Sequence, residues 1–196
     1  MQIKVPPSTH RDLLETREQR LTGFLSASMQ EAADAREGAT EGIILAIARC
    51  GESPVARALI ALRPVLAANG FKVRVVFSEE HAQVDQFVAG SADGGALPEV
   101  RIVRNPRLRD AHEQLIVCGS AVWFGDSLRR DNNRRDLFEQ YLGSAPDAAL
   151  AAARAFEKLW ARTEPYLTLA ALSSNNLAAF PSRAPDSSGP ADPAPR

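Results

Sequence analysis

Residues 112–127 read H-E-Q-L-I-V-C-G-S-A-V-W-F-G-D-S. A histidine precedes an apolar run, a Gly-Ser pair interrupts it, and a second apolar run ends in Gly-Asp-Ser. Runs 114–118 (QLIVC) and 121–124 (AVWF) have strand length, and Gly119-Ser120 between them is a good tight turn. The pattern predicts a hairpin that brings His112 and the loop 125–127 to one edge of a sheet. Histidine titrates near neutrality and offers nucleophilic and proton-transfer roles. Backbone N–H groups near Gly125 would add an anion nest.

Upstream, residues 42–48 (GIILAIA) form an almost continuous apolar run, the pattern of a buried strand. Ser53 is placed to cap a helix and Pro54 suits its first turn. Val55, Leu59, Leu62, Val65 and Leu66 make one face of that helix, Pro64 should kink or split it, and Gly70 ends it. Residues 73–77 (VRVVF) read as a second strand, so 42–77 is a parallel crossover unit. A short helix over 81–87, a loop over 90–98 and a third strand over 100–103 follow. Downstream of the hairpin, 129–141 reads as partly helical. A helix over 147–162 takes its apolar contacts from Phe156, Leu159 and Trp160, and Pro165 ends it.

The ends read differently. Residues 1–10 are an irregular arm broken by Pro6 and Pro7, and Thr9 caps an amphipathic helix running to about 35. Arg17, Glu18 and Arg20 make its charged face, which is not membrane-seeking. The main domain is expected over 11–164, a short helix over 165–180, and a disordered tail over 181–196, rich in Pro, Ser, Asp and Ala.

The 196 residues suffice for one substantial core. A net charge of -1 does not suit a protein that coats nucleic acid without specificity. Residues 101–135 nevertheless carry eight arginines (101, 104, 107, 109, 129, 130, 134, 135) against four acids, either a solvated face or an anion-binding surface. Cys50 and Cys118 read as buried free thiols of a reducing compartment. No secretory leader and no 18-residue apolar span is present, so the cytoplasm is the expectation. No metal site is expected. Gly94-Gly95 is too short for a nucleotide-binding glycine motif, and the two tryptophans, Trp123 and Trp160, read as core or interface residues.

The order strand, helix, strand, loop, strand, His-strand-turn-strand-loop, helix over about residues 40–164 resembles one phospholipase D-like domain. That family's signature is His, any residue, Lys, four residues, Asp, six residues, Gly-Ser, one residue, Asn. Two copies meet to build one active site: one His forms a phosphohistidine, the other protonates the leaving group, and the lysines hold the phosphoryl oxygens. Single-copy members pair as homodimers. On this chain the His position is His112 and the Lys position Gln114. Gly119 falls at the Asp position, Asp126 and Ser127 at Gly-Ser, and Arg129 at Asn. His and Ser persist; the others do not.

The resemblance implies an α/β domain with a largely parallel mixed sheet flanked by helices, a homodimer and no cofactor. Gln114 donates a hydrogen bond but brings no charge, and Asp126 opposes an anion unless paired. The expected function is therefore binding, to a protein or a phosphate-bearing partner, without catalysis. One alternative is a phosphodiester hydrolase, a nuclease or phospholipase, that uses His112 and Ser127, with Arg129 or Arg130 in place of lysine; Gln114, Arg129, Arg130 and Arg134 are the candidate phosphate contacts. The other alternative is nucleic-acid binding through the 101–135 surface.

Overall fold

The computed structural model describes residues 10–35, 42–79, 82–89, 98–128 and 138–166. The helix expected over 165–180 does not begin there, since Pro165 belongs to a strand; its remainder from 167, the tail over 181–196 and residues 1–9 of the arm lie outside the described residues.

The elements run α1 (His10–Asp34), β1 (Ile43–Ala48), α2 (Pro54–Ala61), α3 (Arg63–Ala68), β2 (Lys72–Phe77), α4 (Ala82–Ala89), β3 (Glu99–Ile102), a 3₁₀ turn (Pro106–Asp110), β4 (His112–Val117), β5 (Ala121–Ser127), β6 (Gln140–Leu142), α5 (Pro146–Trp160) and β7 (Glu164–Pro165). Among the described residues the strands form one seven-stranded sheet in the order β6-β5-β4-β1-β2-β3-β7.

The apolar run of β1 follows from its central place, with β2 parallel on one side and β4 antiparallel on the other. Ile44, Ala46 and Ala48 face a core shared with Leu21 and Leu25 of α1, Val55 and Leu59 of α2, and Phe87 of α4. Leu45 and Ile47 face Phe156, Leu159 and Trp160 of α5. A strand covered on both faces has no position left for a polar residue. The α1 helix therefore packs on its own domain.

The mixed α/β class with flanking helices holds, and the strand senses refine it. Only β1–β2 and β2–β3 are parallel; the other four pairs are antiparallel. Parallel neighbours need a helical crossover, and α2–α3 and α4 supply the two that exist. The later strands are joined by a tight turn or added at an edge. Gln140–Leu142, where partly helical structure was expected, is an edge strand, and the rest of the 129–141 segment up to 137 lies outside the described residues. Pro165 sits in β7 at the opposite edge, where its missing N–H breaks no ladder.

Pro64 divides the crossover helix as expected: α2 ends before Leu62 and α3 begins at Arg63. The Ser53 hydroxyl accepts the Ala56 N–H at 3.5 Å, at the long limit for a cap. Ser53→Ala is accordingly expected to cost no more than about 1 kcal/mol by chemical denaturation. The hairpin reverses one residue earlier than expected. Cys118 and Gly119 both have positive φ, 51° and 67°, and the Ser120 N–H returns to the Val117 carbonyl at 3.0 Å. That sign pattern belongs to a type I′ turn.

Candidate functional site

His112 opens β4 at the end of the sheet where β1 stops, since Gln114 pairs with Ile47 and β1 closes at Ala48. It lies at the carboxyl rim of the parallel strands, the usual place for ligands in open α/β sheets. The expected position at a sheet edge needs correction, because β4 lies between β1 and β5, two strands in from β6.

The hairpin brings His112 and Ser127 together as cross-strand partners. The register then slips: Gln114 pairs with Phe124, so β5 holds one more residue than β4 between these pairs. Such a bulge re-aims side chains near a rim. Gly125 lies in it, and its carbonyl accepts the His112 Nδ1–H at 3.1 Å. The proton then sits on Nδ1, and the neutral ring keeps its lone pair on Nε2. The imidazole is exposed, with the Phe138 ring edge-on at 6.5 Å.

Gln114, two residues along the same strand, is buried, and its Nε2 has no hydrogen-bond partner among the described residues. Gly119, at the signature's Asp position, turns the far end of the hairpin. At about 3.3 Å per residue the strand carries it roughly 17 Å or more from His112. The missing carboxylate there does not touch this histidine. Asp126 is buried and its Oδ2 accepts the Phe138 N–H at 3.2 Å, so it ties down the chain entering β6.

Arg129, Arg130, Arg134 and Arg135 lie outside the described residues. Among the remaining arginines of the 101–135 surface, two are engaged. Arg101 donates to the carbonyls of Trp160 and Thr163, at 2.9 and 3.2 Å, and Arg104 pairs with Glu164 at 2.8 Å. Arg74 and Arg101 lie over the Trp160 ring, which also stacks on Phe156. That indole is occupied and offers no face to a base.

A buried ionic group lies behind the rim. Glu113 Oε1 accepts the Arg49 backbone N–H at 3.2 Å, and Arg49 Nη2 donates to the Ser127 carbonyl at 3.0 Å. Arg49 thus ties the end of β1 to both strands of the hairpin. Arg17, expected on an exposed helix face, is 4% exposed. Its Nε meets Glu139 Oε1 at 2.6 Å, its guanidinium lies 5.4 Å from the Trp123 ring centroid, and its Nη2 has no partner among the described residues. Arg20 meets the other Glu139 oxygen at 2.6 Å. Tyr141 donates to Glu139, and burial together with that carboxylate pushes its phenol up to about 12.

None of these four residues, Arg17, Arg49, Glu113 and Glu139, was singled out as a site residue from sequence. One signal was available: an acid inside an apolar strand requires a cation. Both cysteines are free, and each is half-buried rather than buried. Burial raises the Cys50 thiol above its ordinary value. Among the described residues no group of three or more His, Cys, Asp or Glu could hold a metal ion, and no helix is long and apolar enough to cross a membrane.

Burial holds the Glu113 carboxyl above its ordinary value of 4.5; Asp126 adds to the rise, and Arg17, Arg49 and the Arg49 N–H oppose it. The folded chain therefore binds this proton more tightly than the unfolded chain. The stabilisation is fully present below 4.5 and is lost as pH rises through the folded value. Glu113→Gln, which does not titrate, is expected to gain in melting temperature relative to the native chain as pH rises above that point. Parallel melting curves against pH would contradict this.

No family model matches the chain, and no curated protein sequence matches it. Solved structures do. NucT from Helicobacter pylori aligns at a TM-score of 0.50 and 12% identity, covering 76% of this chain and 92% of that one. The phospholipase D family member Nuc from Salmonella typhimurium aligns at 0.47 and 15%, covering 76% and 91%. TrmBL2, an archaeal chromatin protein described with a novel mode of DNA binding, aligns at 0.46 and 14%, covering 80% and 65%. The likeness to NucT shows a shared fold and no residue's role. By fold, this chain is a mixed α/β module similar to NucT, a seven-stranded sheet flanked by helices.

Proposed function

We propose that this module acts by binding: it holds a phosphate-bearing ligand at the His112 rim and leaves phosphodiester bonds intact. The observation that carries this reading is the Gln114 side chain, buried two residues along the strand from His112, with an amide N–H that no acceptor among the described residues satisfies. A buried donor left unpaired costs about 1–3 kcal/mol, which a ligand oxygen would offset. The same amide supplies no positive charge. Phosphoryl transfer depends on fixed charge around the equatorial oxygens, and losing one preorganised donor slows such chemistry by about 10²–10³.

In this reading Ser127 offers its hydroxyl across the hairpin, and Arg129, Arg130 and Arg134 are further phosphate contacts. The module pairs with a second copy through this region and works in the cytoplasm. Light scattering at a dimer mass is the expected result for the pairing.

The binding test is a titration with inorganic phosphate, read on ¹⁵N-labelled histidine side chains. The His112 resonances are expected to shift saturably. Gln114→Leu should weaken the apparent affinity by on the order of tenfold, the scale of one hydrogen bond to a charged group. A His112 signal that ignores phosphate would overturn the reading.

A further inference from the structure

We propose that Arg17, on α1, is a positioning residue for His112 that acts through the Gly125 peptide. The inference rests on the reading that His112 carries the ligand, but it concerns the geometry of the imidazole itself.

A β-carbon built at Gly125 would lie 2.4 Å from Cη2 and 2.8 Å from Cζ2 of Trp123, and 3.0 Å from Nη2 of Arg17. The Gly125 α-carbon is thus packed against the indole and the guanidinium, with no space between. The carbonyl of the same residue receives the His112 Nδ1–H at 3.1 Å. A shift of the Gly125 peptide would lengthen that bond and release the ring.

The guanidinium is itself fixed from three directions. Glu139 takes its Nε at 2.6 Å, Trp123 lies beneath it, and α1 carries its stem. Glu139 is in turn held by Arg20 and Tyr141. The chain of contacts runs from α1 and the Glu139 carboxylate through the guanidinium to Gly125 and the imidazole.

Packing alone does not account for an arginine here. A buried cation carries a desolvation penalty that a well-packed apolar side chain would avoid. Its Nη2 is also left without an acceptor among the described residues, and such groups in a folded core call for an explanation. A rigid planar fork that reaches past the indole to the Gly125 backbone gives one. A partner that holds a histidine's second nitrogen decides which nitrogen stays available to a ligand.

The test follows the His112 tautomer by ¹⁵N chemical shifts in the full chain, in the native protein, Arg17→Met and Arg17→Lys, with inorganic phosphate affinity as a second readout. The native protein is expected to show the Nδ1–H form. Both variants are expected to lose it in favour of the Nε2–H form, and to bind phosphate about tenfold or more weakly, the scale of outer-shell partners. If Arg17→Met does not fold, Arg17→Lys decides, because it keeps the buried charge and lacks the nitrogen that packs on Gly125. A folded variant with the native tautomer overturns the inference. If the native protein ignores phosphate, the binding proposal fails, and the tautomer still judges Arg17.

Discussion

Trp123→Ala is expected to destabilise the domain by about 3–5 kcal/mol, the range for truncating a fully buried aromatic residue. The indole is 0% exposed, in the core between the sheet and α1. It meets Tyr141 of β6 at a ring separation of 6.4 Å and carries Arg17 at 5.4 Å from its centroid. Its removal leaves a cavity and takes away the surface on which a buried guanidinium rests. Both effects act in the same direction, and neither is relieved by collapse, because Arg17 is held at Glu139. Urea denaturation monitored by far-UV circular dichroism checks this. A loss below 1 kcal/mol would mean that the site relaxes freely and that the layer between α1 and β5 is not tightly packed.

Gly125→Ala is expected to cost about 1–3 kcal/mol, the penalty for forcing an extra methyl group into a packed core. The added carbon would lie 2.4 Å from the benzo edge of Trp123, a separation that real side chains do not tolerate. The relevant atoms are Cη2 and Cζ2, which phenylalanine lacks. Trp123→Phe should therefore make room for the alanine, so that the double variant loses less stability than the two single changes added together. Residues in contact show such coupling at about 0.5–3 kcal/mol. Strict additivity would show that the indole and Gly125 do not meet. The Gly125→Ala protein should also show a disturbed His112 resonance, since the same peptide carries the His112 acceptor.

These expectations rest on features that the sequence disclosed unevenly. The β1 run was legible because a strand buried on both faces admits only apolar residues, and Pro64 announced its own break. The hairpin was legible from two apolar runs around a glycine. Its reversal at Cys118–Gly119 was not, because a left-handed cysteine has no local signal and Gly119-Ser120 satisfied the turn chemistry equally well. Strand sense was legible only where a helix intervened. The β7 pairing depends on where the chain returns after α5, a tertiary outcome that two residues, Glu164 and Pro165, cannot announce.

The family signature singled out His112 and Ser127, and the hairpin sets them as cross-strand partners. The buried ions behind them were hidden by separation. Arg17 meets Glu139 across 122 positions and Arg49 meets the Ser127 carbonyl across 78. Read locally, an arginine on an amphipathic helix belongs to a solvated face, and one after a strand belongs to a loop. Only the assembled sheet makes them internal. The signature's Asp position misled in the opposite way: Gly119 seemed a chemical deficit, yet the fold puts it at the far turn.

The His112 rim is proposed to hold phosphate without cleaving its ester. The most direct test is the steady-state hydrolysis of a chromogenic phosphodiester by the native chain and by His112→Ala, followed by a search for phosphate covalently bound to His112. The account predicts the same background rate for both proteins and no labelled histidine. Turnover by the native chain that vanishes in His112→Ala, with a phosphohistidine trapped at that residue, would contradict it and make the module a hydrolase.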